Sequence, residues 1–217
     1  MGICPLPFAL CPKLIPIMRD NPGVGRVLVA SLHQGIADIL PMRLAFYEGW
    51  LNAEGLREGT IGLAPLYAVL SFLRQEEDDA YRKITTLAGE YAAEWTVESM
   101  PAMRRRFVKA MPVWLRSRLL LGLARQLVHS SYQGSQAVSR LRRGVANVDV
   151  QSSVFCSVRE PVPHPLCGFY AAAFTRMLSL FDLGARTDVI ACRATGERTC
   201  QLKVALLDRR TSDAGAM

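Results

Sequence analysis

"ACRATGERTC", residues 191–200, sets two cysteines symmetrically about Gly196 and runs on into "QLKVALL", residues 201–207, which alternates as a half-buried strand does. "TDVIACRA", residues 187–194, alternates on the other side of the glycine, so the segment reads as two antiparallel strands joined at a tight turn. Strands paired about Gly196 bring Cys192 and Cys200 face to face, with Cβ atoms about 4.5–5.5 Å apart. Two thiols at that separation can grip one metal ion through bonds of about 2.3 Å, or close less comfortably into a disulfide.

Immediately upstream, "CGFYAAAFTRMLSLF" (167–181) carries apolar residues at helical spacing, with Cys167 at its start. A helix N-terminus favours a thiolate, which makes Cys167 the natural third member of a cysteine cluster. His164, three residues earlier in "PHPLC", offers a nitrogen ligand. The bland alternative is that these thiols are small buried hydrophobes.

Further towards the N-terminus, "VANVDVQSSVFCSVR" (145–159) fits a strand or strand pair ended by the proline run "EPVPHPL". Before it the period is helical. "IGLAPLYAVLSFLRQ" and "AYRKITTLAGEYAAEWTV" predict two helices joined through "EEDD", and residues 102–135 predict one helix interrupted near Pro112 and stopped around Gly134. The first 60 residues, rich in Pro and Gly, read as an N-terminal extension with one helix around "RVLVASLHQGIADIL"; residues 61–210 form the main domain and 211–217 a disordered tail. Helices first, then an antiparallel sheet with one inserted helix, make an α+β fold.

Half of the 217 residues are apolar, enough for a full core, and the longest apolar runs fall well short of the roughly 18 residues of a membrane span. The proline-broken N-terminus lacks the features of an export signal, so a cytoplasmic location is expected, where cysteines are more often thiols or metal ligands than disulfides. The formal charge is +7, and no acidic residue lies between Glu98 and Asp149, a stretch holding 10 of the 26 Lys and Arg residues. That stretch favours an anionic partner: an acidic protein face, a carboxylate-bearing ligand or, by peripheral contact, a membrane surface. Nucleic acid is not expected, because no recognised binding motif accompanies the charge.

The segment from Cys167 through C-x-A-x-G-x-x-x-C into a terminal strand resembles the vinyl-reductase domain family, which includes bacteriochlorophyll 4-vinyl reductase and the ligand-sensing domains of aromatic-responsive regulators, and is related in fold to the small subunits of the transport-protein-particle complex. The resemblance covers about Ser152 to Leu207. It implies an apolar small-molecule pocket and, in the sensor branch, zinc held by three cysteines and a glutamate. That glutamate's position is Val189 here, and Asp188 beside it should point to the opposite strand face, so a tetrahedral zinc site on Cys167, Cys192 and Cys200 needs His164 or Cys156 to complete it.

The resemblance suggests a pigment-biosynthesis protein that binds or delivers a tetrapyrrole precursor for reduction of its vinyl group, with an acidic biosynthetic enzyme as partner and a homodimer as one assembly. The expected ligand wall is Phe155, Phe169, Tyr170, Phe174 and Met177, with Arg143 and Tyr132 at the rim and His129 as a magnesium ligand. No nucleotide or iron–sulfur motif supports a reductase: Leu28 stands where the third glycine of a dinucleotide fingerprint belongs, and Cys4 and Cys11 stand apart. The alternative is a stand-alone small-molecule-sensing regulatory domain containing zinc.

Overall fold

Leu28, Val29, Leu32 and Ile36 recur at helical spacing and all lie buried on one face of α1 (Arg26–Ile39), the first long helix of the computed structural model. The structure describes residues 24–49, 51, 62–76, 78–158 and 160–207; Cys4, Cys11 and the 211–217 tail lie outside these. After a short helix α2 (Leu44–Glu48), α3 (Leu63–Glu76) buries Leu66, Val69, Leu70 and Leu73, and α4 (Asp78–Glu98) comes almost at once. The two helices expected from the sequence are both present.

α4 packs along α1 and along α7 (Gly168–Ser179). The α4–α7 contact is backbone on backbone, because a Cβ at Gly89 would stand 2.2 Å from the carbonyl oxygen of Phe169. Gly89 therefore gives up about 1 kcal/mol of helix propensity for close approach. Between them in sequence, α5 (Ala102–Ala110) and α6 (Val113–Ser131) meet at Met111 and Pro112, where the proline cannot donate to the preceding turn.

A four-stranded antiparallel sheet of order β1-β2-β4-β3 completes the fold, from β1 (Gln136–Arg142), β2 (Val145–Gln151), β3 (Ala185–Ala191) and β4 (Cys200–Leu206). One face is covered, with α6 against β1 and α7 against β3. Ala146, Val148 and Val150 of β2 and Cys200, Leu202 and Val204 of β4 point inward at every second position, as the pleat requires. The α+β arrangement with an inserted helix is as expected.

Strand β1 corrects the sequence reading, which placed extended structure only from Val145 onward. Its outward positions, Arg140 and Arg142, obscure the alternation, while Ala137 is buried and Leu141 packs against the core. Arg143 and Gly144 form the turn with φ of 49° and 77°, the doubly left-handed geometry that suits a two-residue hairpin.

The β3–β4 pairing contains the detail that builds the site. Its register runs from Ala185↔Leu206 to Val189↔Leu202 and resumes at Ala191↔Gln201, so Ile190 is an extra residue in β3. A bulge of this kind re-aims the side chains beyond it. Continued past Ala191, the shifted register sets Cys192 opposite Cys200, centred on Gly196; were Ile190 paired in step rather than bulged, Ala191 would stand there instead. Gly196 takes φ 92° at the end of a short 3-10 turn over Arg193–Thr195.

One continuous buried cluster runs from Val24 to Val204, so α1 belongs to the same core as the sheet. The domain boundary expected near residue 60 falls among residues outside the described set.

Candidate metal centre

Four cysteines converge at the end of the sheet. Cys156 closes a short 3-10 turn (Val154–Cys156), Cys167 caps α7, Cys192 precedes the Arg193–Thr195 turn, and Cys200 opens β4, where Val150 of β2 is its cross-strand partner. All four are buried free thiols, and their sulfurs lie within 4.8 Å of one another. Cys156 Sγ is 3.1 Å from Cys167, 3.3 Å from Cys192 and 3.5 Å from Cys200, and Cys167 is 3.7 Å from Cys192. Sulfurs bound tetrahedrally at about 2.3 Å would be about 3.8 Å apart. These four separations are slightly shorter than that, and the whole set, within 4.8 Å, is close to that geometry.

Backbone groups complete the surroundings. The Leu166 N–H points at Cys192 Sγ and the Arg193 N–H at Cys200 Sγ, both at 3.4 Å. The Cys192 carbonyl accepts the N–H groups of Thr195 and Glu197 and the Thr195 hydroxyl, which fixes the turn, and Val162 N–H donates to the Ala194 carbonyl at 2.7 Å, tying the proline-rich segment to that turn. Such outer partners orient ligands and stabilise negative sulfur.

Donation from Cys156 and Cys167, assisted by the backbone N–H groups, holds Cys192 and Cys200 below the ordinary thiol range. Cys167 is pushed up by its contacts with Cys156, Cys192 and Cys200 and by burial. For Cys156 the contact with Cys167 acts downward, but Cys192, Cys200 and burial outweigh it. Two thiols thus hold their protons while two are inclined to lose them. A dicationic metal would relieve this frustration by taking all four as thiolates. The residues fit a soft, tetrahedral ion, and the cluster can hold one.

The structure brings together Cys167, Cys192 and Cys200 as expected, and it is Cys156, not His164, that joins them. His164 is exposed on the proline-rich segment and is no member of the cluster. Val189 packs against the core and Asp188 pairs with Arg186 at 2.9 Å, so neither supplies a ligand. Cys156 was legible as an alternative only, since nothing local in "SVFCSV" points it at a hairpin 36 residues away.

The expected ligand wall lies elsewhere. Phe155, Phe169, Tyr170, Phe174 and Met177 are fully buried in closed core contacts. Phe155 stacks on Phe169 at 4.9 Å, and Tyr170 meets both rings edge-on at 5.5 and 5.3 Å. Apolar residues at helical spacing serve here as core. His129 is exposed near the end of α6, and Arg143 is exposed in the β1–β2 turn.

Two adjoining clefts do border the centre. One of about 810 Å³ lies between α3 and the segment after Cys156, lined by Tyr67, Ser71, Arg74, Ser157, Glu160 and Val162 among others. The second, about 240 Å³, shares Tyr67, Ser157 and Val158 with it and reaches Cys156, Tyr132 and Arg193. Cys156 thus belongs to the thiol cluster and also lines the smaller cleft.

No family model and no curated protein matches the sequence. Among solved structures the chain is similar to an H-NOX protein from S. oneidensis in an Fe(II)NO ligation state, with 12% identity over 85% of this chain and 99% of that one and a TM-score of 0.51. Looser likenesses are to the phenol-responsive sensory domain of the transcription activator PoxR with phenol (13% identity, 68% and 75% of the two chains, TM-score 0.45) and to a trafficking protein particle complex subunit 3 from Naegleria fowleri covalently bound to palmitic acid (12%, 67% and 93%, 0.47). None of these three is a vinyl reductase. The likeness to the H-NOX protein is one of α+β fold.

Proposed function

We propose that the chain is a small-molecule-sensing domain in which a zinc ion on Cys156, Cys167, Cys192 and Cys200 braces the smaller cleft where it adjoins the ligand cleft. The observation that carries this reading is the double placement of Cys156, whose sulfur belongs to the cluster while the residue lines the cleft. A ligand seated between Tyr67 and the Ser157–Val158 segment presses directly on the residues next to a metal ligand. The larger cleft falls in the size range of small-molecule sites, with an aromatic ring and valines set beside Arg74, and so suits a compact aromatic compound bearing a hydroxyl or carboxylate. The shared fold with an H-NOX protein solved in an Fe(II)NO ligation state accords with a small-molecule role.

Metal analysis of protein purified under reducing conditions, followed by thermal melts with phenol, benzoate and a chlorophyllide-type tetrapyrrole, tests both parts. The tetrapyrrole is included because the resemblance to the vinyl-reductase family implies one. One zinc per chain and a saturable rise in melting temperature with a member of the panel are expected. Metal-free protein whose melt ignores a chelator overturns the zinc assignment, and a melt unmoved by the whole panel overturns the sensing assignment.

A further inference from the structure

Eleven large hydrophobic side chains are exposed among the described residues, and five of them fall between Met103 and Leu119. Met103 and Phe107, one turn apart on α5, are 76% and 64% exposed, and Trp114 at the start of α6 is 62% exposed. These side chains are interleaved with cations. Arg104 and Arg118 border a shallow groove of about 430 Å³ floored by Leu115 and Leu119, which places the outer faces of α5 and α6 on one surface. The Arg118 guanidinium lies over the Trp114 ring, 5.8 Å from its centroid, and neither Arg104 nor Arg118 has an ion pair among the described residues.

From this surface we infer that the α5–α6 corner docks on an anionic lipid bilayer. The charge decides the occupant. With no acidic residue between Glu98 and Asp149, a second copy meeting this face would bring like charges together with nothing to pair them. The apolar groups stand outward as separate protrusions flanked by arginines, an arrangement suited to inserting into a fluid interface while the cations meet phosphates. Tryptophan at the boundary and arginine beside it are the usual interfacial anchors. Arg116, by contrast, donates to the Lys109 carbonyl at 2.9 Å and holds the corner in shape.

Co-sedimentation of the full chain with vesicles of phosphatidylcholine, alone or with phosphatidylglycerol added, tests the inference. Binding is expected only with the anionic lipid, and it should weaken as salt rises. Arg104→Gln with Arg118→Gln should lower the partition constant roughly 25-fold, at about fivefold for each cation removed. Phe107→Ala with Trp114→Ala should also lower it, while the far-ultraviolet circular dichroism of both variants stays unchanged because all four side chains are exposed. A readout that needs no destabilising variant is quenching of intrinsic fluorescence by brominated acyl chains, expected in the native protein and reduced in Trp114→Phe. Failure to bind anionic vesicles overturns the inference. So does binding that falls with the arginine variant yet is indifferent to loss of Phe107 and Trp114, because that pattern marks a surface for soluble polyanions such as an acidic protein.

Discussion

Cys156→Ser removes one sulfur from the cluster and leaves three, whereas His164→Ala touches an exposed ring outside it. Metal content should therefore fall below one per chain in the first variant and stay unchanged in the second. The melt of Cys156→Ser should drop by more than the about 1–3 kcal/mol of an ordinary packing change, because the metal-linked folding energy goes too. Two phenols give a separate residue-scale test. Burial pushes Tyr81 and Tyr170 well above the ordinary value near 10. A raised phenol favours folding fully below its unfolded value, and that contribution is lost as pH climbs from about 10 towards the folded value. Stability should fall steeply above about pH 10, and Tyr81→Phe with Tyr170→Phe should flatten that fall in denaturant titrations at alkaline pH. Three of the four cysteines were legible, because two share a hairpin and one starts a helix. Cys156 was legible only as an alternative to His164, since only the tertiary fold carries it to the others.

Inserting one alanine between Ala191 and Cys192, at the element scale, sets that alanine opposite Cys200 and slips Cys192 off the position. A one-residue slip also sends side chains to the opposite sheet face. The insertion should abolish stoichiometric metal binding while the circular dichroism signal of the helices persists. Gly89→Ala adds a Cβ that the Phe169 carbonyl oxygen cannot accept, so α4 and α7 must part. The propensity gain of about 1 kcal/mol is outweighed by overpacking of about 1–3 kcal/mol or more, and the melting temperature should fall. Helix existence was readable from period and from Pro112, because both signals are local. The bulge was not readable, since "DVIAC" alternates equally well with or without an extra residue until its partner strand is known. Strand β1 escaped notice because a hairpin turn usually declares itself with Asn or Asp before Gly, and here Arg143 takes that place.

Across the whole molecule, ligand thiols must shed protons to bind a metal, so acid and metal compete for the same sulfurs. Thermal stability of metal-loaded protein should fall as pH drops and should fall at neutral pH on adding a chelator, with zinc restoring it; melts indifferent to both would leave the cysteines as packing. No helix of the described residues is long and apolar enough to cross a membrane, which agrees with the hydropathy of the sequence. The basic stretch was legible as charge, but its division was not. Arg125 spends its Nε on the Ala137 carbonyl and Lys109 pairs with Asp182, while Arg104 and Arg118 have no such partners among the described residues. The cysteine positions also set a chain-entropy problem. Cys156 and Cys167 are 11 residues apart, Cys167 and Cys192 are 25, and the outermost pair spans 44. Closing a loop costs about 0.6 kcal/mol more with each doubling of its length, so the two short closures, Cys156–Cys167 and the turn about Gly196, are entropically cheaper than the 25-residue link between them. An ion captured by the turn cysteines of an unfolded chain already holds half its ligands, and acquiring the other half draws the start of α7 onto the start of β4. A metal held on these four cysteines would thus be a cross-link that favours a native order of assembly as well as a native end state.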